Sequence, residues 1–236
     1  MNLSAPPGIS AILLFGSRAR RDIRRGSDTD LLLIGPPGLP RHKSIGHLSM
    51  FFYSWDTLAD NARTGDLFVC HIVREARAVF DPGLQLAHLR SLFRLRDSYA
   101  PEIAQACDLG VFLDRYAPAL DGRIVARRMI WCIRTVLIAR LAEQGRPAFA
   151  PTALAEIASP PAVALLDSRH QRKPDAVMRQ RFRQFLAEEG ATSPLSPDAS
   201  LDDWLSYFDA SDNRIAQQTI AAGAAAPERE DETLYS

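Results

Sequence analysis

The feature that most constrains this chain is a pair of short apolar runs, SAILLF at residues 10–15 and LLLI at 31–34, each joined to residues that carry chemistry. The first run ends in Gly16-Ser17, and the second is led in by Asp28-Thr29-Asp30. Apolar runs this short, bounded by glycine and polar residues, suit buried strands. The polar stretch between them, RARRDIRRG, reads as a short solvated helix that Ser17 caps and Gly26 closes. Side chains along a strand point to opposite faces in turn, so Asp28 and Asp30 share one face about 7 Å apart.

Two carboxylates at that separation repel by about 2 kcal/mol at an effective dielectric of about 20. A cation or hydrogen-bond donors must offset the repulsion. Mg²⁺, with Mn²⁺ as its alternative, suits hard oxygen ligands and binds through one or two carboxylates plus phosphate oxygens. Gly16 lets backbone approach a ligand closely, and a helix begun at Ser17 turns free N–H groups toward an anion. A metal-bound triphosphate would satisfy both halves at once. Without a ligand, the same residues are a Gly-Ser turn and an aspartate pair at a strand start, and that reading stays open.

The strand, Gly-Ser, helix, strand order, with ten residues between Ser17 and Asp28, resembles the signature of the polymerase-beta-type nucleotidyltransferase superfamily, above all its minimal bacterial members. The resemblance covers roughly residues 10 to 80. It implies that Gly16 and Ser17 grip the triphosphate, that Asp28 and Asp30 hold Mg²⁺, and that a nucleoside monophosphate is transferred with loss of pyrophosphate. Arg18 and Arg20, directly after the turn, are placed to reach phosphate oxygens through their guanidinium forks. Arg21, Arg24 and Arg25 fit a solvated helix face better. The family's active members carry a third acid on a later strand, and here HLSMFFYS has none. Ser49 stands about where that acid is expected, and Asp56, just beyond the strand, is the candidate for its role. The alternative for Asp56 is an N-cap of the helix TLADNAR. Asp66 and Asp81 fit less well.

The implied donor is a nucleoside triphosphate, ATP first, and the acceptor is a small molecule, a protein or an RNA. The competing reading is a nucleotidyltransferase fold without turnover, which binds a toxin or another protein partner as an antitoxin does. A looser resemblance, in GDLFVCHIVREARAVFD followed by long helices, is to bacterial proteins that join such a domain to a helical HEPN module. HEPN ribonucleases place a His four to six residues after an Arg, and the helices here show no convincing instance, so ribonuclease activity is not expected.

The expected fold class is α/β (α+β): a small mixed-sheet domain over residues 1–83, an all-helical bundle domain over 84–222 with the cleft between them, and a polar, disordered tail over 223–236. HLSMFFYS is the third strand, PPGLPRHK a loop, and AVFD a last short strand or connection. From residue 84, helical periodicity takes over. Met129, Ile130, Cys132, Ile133, Val136, Leu137 and Leu141 cover more than one stripe of a long helix, which marks it as central. Arg127, Arg128 and Arg134 on the same helix need anionic partners if buried.

Lys plus Arg and Asp plus Glu are both 28, so no global field draws the chain to nucleic acid or anionic membrane, and any polyanion site must be local. The first residues lack a basic n-region and AILLF is too short to span a bilayer, so a cytoplasmic protein is expected. Cys70, Cys107 and Cys132 lack metal-ligand spacing and are expected as buried free thiols. His42, His47 and His71 show no spacing that marks a ligand or a base.

Overall fold

The computed structural model describes residues 8–20, 28–35, 37–38 and 40–224. These divide into two compact units: residues 8–97 with 142–150, and residues 98–141 with 151–224. In chain order the first unit holds strand β1 (Ala11–Phe15), helix α1 (Gly16–Arg20) and strands β2 (Thr29–Gly35), β3 (Arg41–Ile45) and β4 (Leu48–Ser54). Helices α2 (Trp55–Arg63) and α3 (Leu67–Glu75), strand β5 (Arg77–Phe80) and helix α4 (Gln85–Leu92) follow. The sheet is mixed, in the order β3-β4-β2-β1-β5, with β2 and β4 parallel and every other pair antiparallel.

One face of this sheet is covered. Ala11, Leu13 and Phe15 of β1, with Leu32 and Ile34 of β2, form a core with Leu58 of α2, Val69 and Ile72 of α3, and Leu86 and Leu89 of α4. Ser54 caps α2 by accepting from the Thr57 N–H at 3.2 Å, and Asp66 caps α3 by accepting from Val69 N–H at 2.8 Å. Asp81 starts α4 by accepting from the Gln85 and Leu86 N–H groups. Each short polar residue satisfies donors that a helix start leaves free.

Two expectations change here. Residues 41–43, read as loop, belong to β3, which pairs with β4 through a turn at Gly46-His47, where Gly46 has φ +56°. All five residues of β3 are exposed, so it shows no apolar alternation, and its partner β4 holds it instead. The first unit also runs past residue 83, because α4 buries Leu86 and Leu89 in the sheet's core.

The second unit is helical: α5 (Ala100–Tyr116), a 3₁₀ turn at Ala117–Ala119, and α6 (Gly122–Glu143), whose last residues fall with the first unit. Helices α7 (Pro151–Ala155), α8 (Pro160–Asp167), α9 (Ala176–Glu188), α10 (Leu201–Ala210) and α11 (Arg214–Ala224) complete it. The seven apolar positions expected to bury α6 on more than one stripe are all buried. Between α10 and α11 the chain breaks at Asp212, which adopts φ +47°. Cys70, Cys107 and Cys132 are free and buried, and burial pushes the thiols of Cys70 and Cys107 up to about 12 and about 11. Among the described residues no helix is long and apolar enough to cross a membrane. The expected tail lies outside the described residues from 225 onward.

Leu32 is fully buried at the centre of the sheet. Leu32→Ala is expected to destabilise the protein by about 3 kcal/mol in urea denaturation, through lost transfer energy and the cavity left behind. A loss under about 1 kcal/mol would contradict this core.

Candidate functional site

The antiparallel register of β1 and β2 pairs Phe15 with Asp30, so the end of one strand and the start of the other meet. Directly after Phe15 the chain turns at Gly16, which has φ +71°. A Cβ at Gly16 would lie 2.5 Å from Asp30 Oδ2. Both the backbone angle and the space therefore demand glycine, and the carboxylate rests over the turn. Ser17 and Arg18 follow in α1, each half-buried.

Asp28 precedes β2 and is exposed, with its Oδ1 3.1 Å from His47 Nδ1. The Thr29 N–H donates to the His47 carbonyl at 2.7 Å, which ties the β3–β4 turn to the start of β2. Asp30 is half-buried, and its carboxyl is held above the usual aspartate range. Burial is the main cause and the charge of Asp28 adds to it, while His71, His42 and Arg20 act in the opposite direction. The repulsion expected from the sequence is therefore present.

Beside Asp30 in the parallel register lies Ser49, and opposite Ser49 lies Ser44, so the three share one face. The Ser44 hydroxyl is 3.2 Å from His42 Nε2, and the His42 ring stacks on Phe51 at 4.4 Å. From α3, His71 Nε2 is 2.8 Å from Glu75 Oε2, and its ring stacks on Phe149 and meets Phe15 edge-on. Glu75 Oε2 also accepts from Arg20 Nη1, and both side chains of that ion pair are largely buried.

The structure thus brings together Gly16, Asp28 and Asp30, with Ser17 and Arg18 adjoining. Arg20, expected to reach phosphate, is committed to Glu75. Asp56 is not part of the group. It sits exposed in the first turn of α2, beyond Ser54, whereas Asp30 is level with Ser49. The strand between Ser49 and Ser54 alone separates them by about 17 Å. Asp56 is not the N-cap either, since Ser54 fills that position. Arg21, Arg24, Arg25 and Gly26 lie outside the described residues.

Sequence reasoning missed His42, His47, His71 and Glu75. The first two reach the site only through the β3–β4 hairpin. The His71–Glu75 pair, four residues apart on α3, was the one local signal.

Among the described residues, no group of three His, Cys, Asp or Glu side chains is arranged to hold a metal ion. Two carboxylates that are coupled across one face fit a hard cation that completes its shell with phosphate oxygens and water. The surrounding imidazoles are poor ligands for Mg²⁺ and cannot replace a bridging third acid.

The chain matches no protein-family model and no curated protein. Among solved structures it is similar to a nucleotidyltransferase-like protein from Exiguobacterium sibiricum 255-15, with 13% identity, coverage of 91% of this chain and 74% of that one, and a TM-score of 0.31. A score that low does not equate two folds.

A raised carboxyl makes a signed prediction. Native Asp30 keeps its proton to higher pH than the unfolded chain does, so its ionisation lowers stability as pH rises through the raised native value. In metal-free buffer Asp30→Asn is expected to be more stable than wild type at neutral pH, with the gain vanishing toward about pH 4. Paired thermal melts across pH check this, and a variant less stable at neutral pH would contradict it.

Proposed function

We propose that this chain is a nucleotidyltransferase in which Asp28 and Asp30 hold Mg²⁺, or Mn²⁺ in its place, on the phosphates of a nucleoside triphosphate, with ATP as the first candidate. The observation that carries the reading is the Asp30 carboxylate resting over Gly16, with Asp28 beside it. A ligand at this end of the two strands would meet the bare backbone of Gly16 and both acids side by side. Ionising the half-buried Asp30 works against desolvation and the charge of Asp28, a cost that a cation would remove.

The bound metal would neutralise charge on the phosphate oxygens. Asp28 and Asp30 orient the triphosphate so that its α-phosphorus faces the acceptor. Gly16 and Ser17 offer close backbone approach to the phosphate tail. The acceptor oxygen bonds to the α-phosphorus, the bond to the bridging oxygen breaks, pyrophosphate leaves, and the acceptor's proton passes to solvent water. The acceptor hydroxyl belongs to a small molecule, a protein or an RNA, and the protein acts in the cytoplasm.

One observation favours a second reading, nucleotide or partner binding without transfer, as in an antitoxin. The position beside Asp30 on the neighbouring parallel strand is Ser49, not an acid.

The test is incubation with each labelled nucleoside triphosphate and Mg²⁺, reading pyrophosphate release and label transfer into a cell extract. Asp28→Ala/Asp30→Ala is expected to lower both by at least about 100-fold. Equal signal in wild type and double variant would sink the enzyme reading. Saturable, Mg²⁺-dependent nucleotide binding without pyrophosphate release would favour the second.

A further inference from the structure

The second unit carries a concentration of positive charge that neither reading above uses. Arg123 and Arg127 lie four residues apart on one face of α6, and with Arg169, Arg172, Gln171 and Ile130 they line a hollow of about 290 Å³. A second hollow of about 520 Å³ is lined in part by Lys173, Arg179 and Arg183, above a floor that includes Ala117, Pro118 and Leu120. The connection between α8 and α9 lines both, since Arg172 faces one and Lys173 the other. Gly122 lies against Lys173, where a Cβ would come within 2.7 Å of Lys173 Cγ, so the start of α6 and this connection are in contact.

Seven cations therefore line two adjoining hollows whose only carboxylate among the described residues is Asp114. Asp114 pairs with Arg183 at 3.4 Å. Arg169 and Arg179 are tethered to the carbonyls of Leu166 and Pro174. The side chains of Arg123, Arg127, Arg172 and Lys173 make no hydrogen bond or ion pair with other described residues. The neighbouring Arg128 is held below the usual arginine range, first by burial and then by the charge of Arg127. In a chain of zero formal net charge, such clustering is local.

We propose that this face of the helical unit holds a nucleic-acid strand through its phosphodiester backbone. Exposed guanidinium groups spread over two hollows suit an extended polyanion, where a single phosphate would call for convergence on one point. A protein partner is disfavoured because protein interfaces are depleted of charge at their centre and anchored by aromatic residues, and among the described residues no aromatic side chain lines either hollow. Nucleic-acid interfaces are strongly positive and polar. The same lack of aromatics removes base stacking, so the strand is held without sequence readout. The inference stands whether or not Asp28 and Asp30 carry chemistry.

The test is fluorescence anisotropy of the full chain with labelled oligouridylate and oligothymidylate of equal length, titrated with salt. Wild type is expected to bind, with log K falling against log salt at a slope of about −3, as for about four neutralised phosphates on a single strand. Arg127→Glu/Arg172→Glu is expected to bind at least about tenfold more weakly with a slope nearer −1.5, and Arg127→Gln/Arg172→Gln less severely in the same direction. Arg77→Glu/Arg94→Glu, an equal charge change on exposed residues of the first unit, should retain wild-type binding. Thermal melts confirm that each variant folds. Equal affinity for the two oligonucleotides supports backbone holding without choice between RNA and DNA, and tighter binding of one of them supports it and names its source. Absence of wild-type binding, equal loss in the control pair, or displacement by polyglutamate as effective as by oligonucleotide would overturn the proposal.

Discussion

The chemistry proposed for the first unit depends on one close contact, the Asp30 carboxylate lying over the backbone of Gly16. It exists because antiparallel pairing sets Phe15 opposite Asp30, so the chain leaves one strand at the level where its neighbour begins. The left-handed turn and the missing Cβ are two demands on one residue, and either would be costly for any other amino acid. The contact also places Asp30 at the edge of a covered face, which gives its carboxyl its partly desolvated character.

Around that contact the protein arranges partial compensation. Asp28 leans on His47, exposed and on a turn, an interaction that is weak in water and readily exchanged for a better partner. Asp30 is softened by the charges of His71, His42 and Arg20, yet the net effect still disfavours its ionised form. The firmer structure lies one layer away, where Glu75 joins Arg20 to His71 and the His71 ring is held between Phe15 and Phe149.

What the sequence disclosed follows the reach of each physical signal. Gly16, Asp28 and Asp30 were legible because strand alternation and glycine's backbone freedom act within a few residues. Strands β1, β2 and β4 and most helices were legible for the same reason. Strand β3 was not, because Arg41–Ile45 is exposed throughout and owes its conformation to β4. Once β3 is missed, His42 and His47 cannot be placed, since only hairpin register carries them to Asp30's end of the sheet. Asp56 lies next to the end of β4, and only the direction of that strand shows that its start, level with Asp30, is far away. The break at Asp212 carries neither glycine nor proline. The basic face of the helical unit is assembled from three separate segments, and no single stretch of sequence announces it.

A cation and a phosphate tail are proposed to gather beside the two acids and the bare backbone of Gly16. Crystals of the chain grown with Mn²⁺ and a non-hydrolysable triphosphate would test it by anomalous scattering. The account predicts a manganese peak within about 2.2 Å of carboxylate oxygens from both Asp28 and Asp30, with phosphate oxygens beside Gly16 and Asp28 released from His47. Manganese and nucleotide bound elsewhere, with Asp28 still on His47, would contradict it.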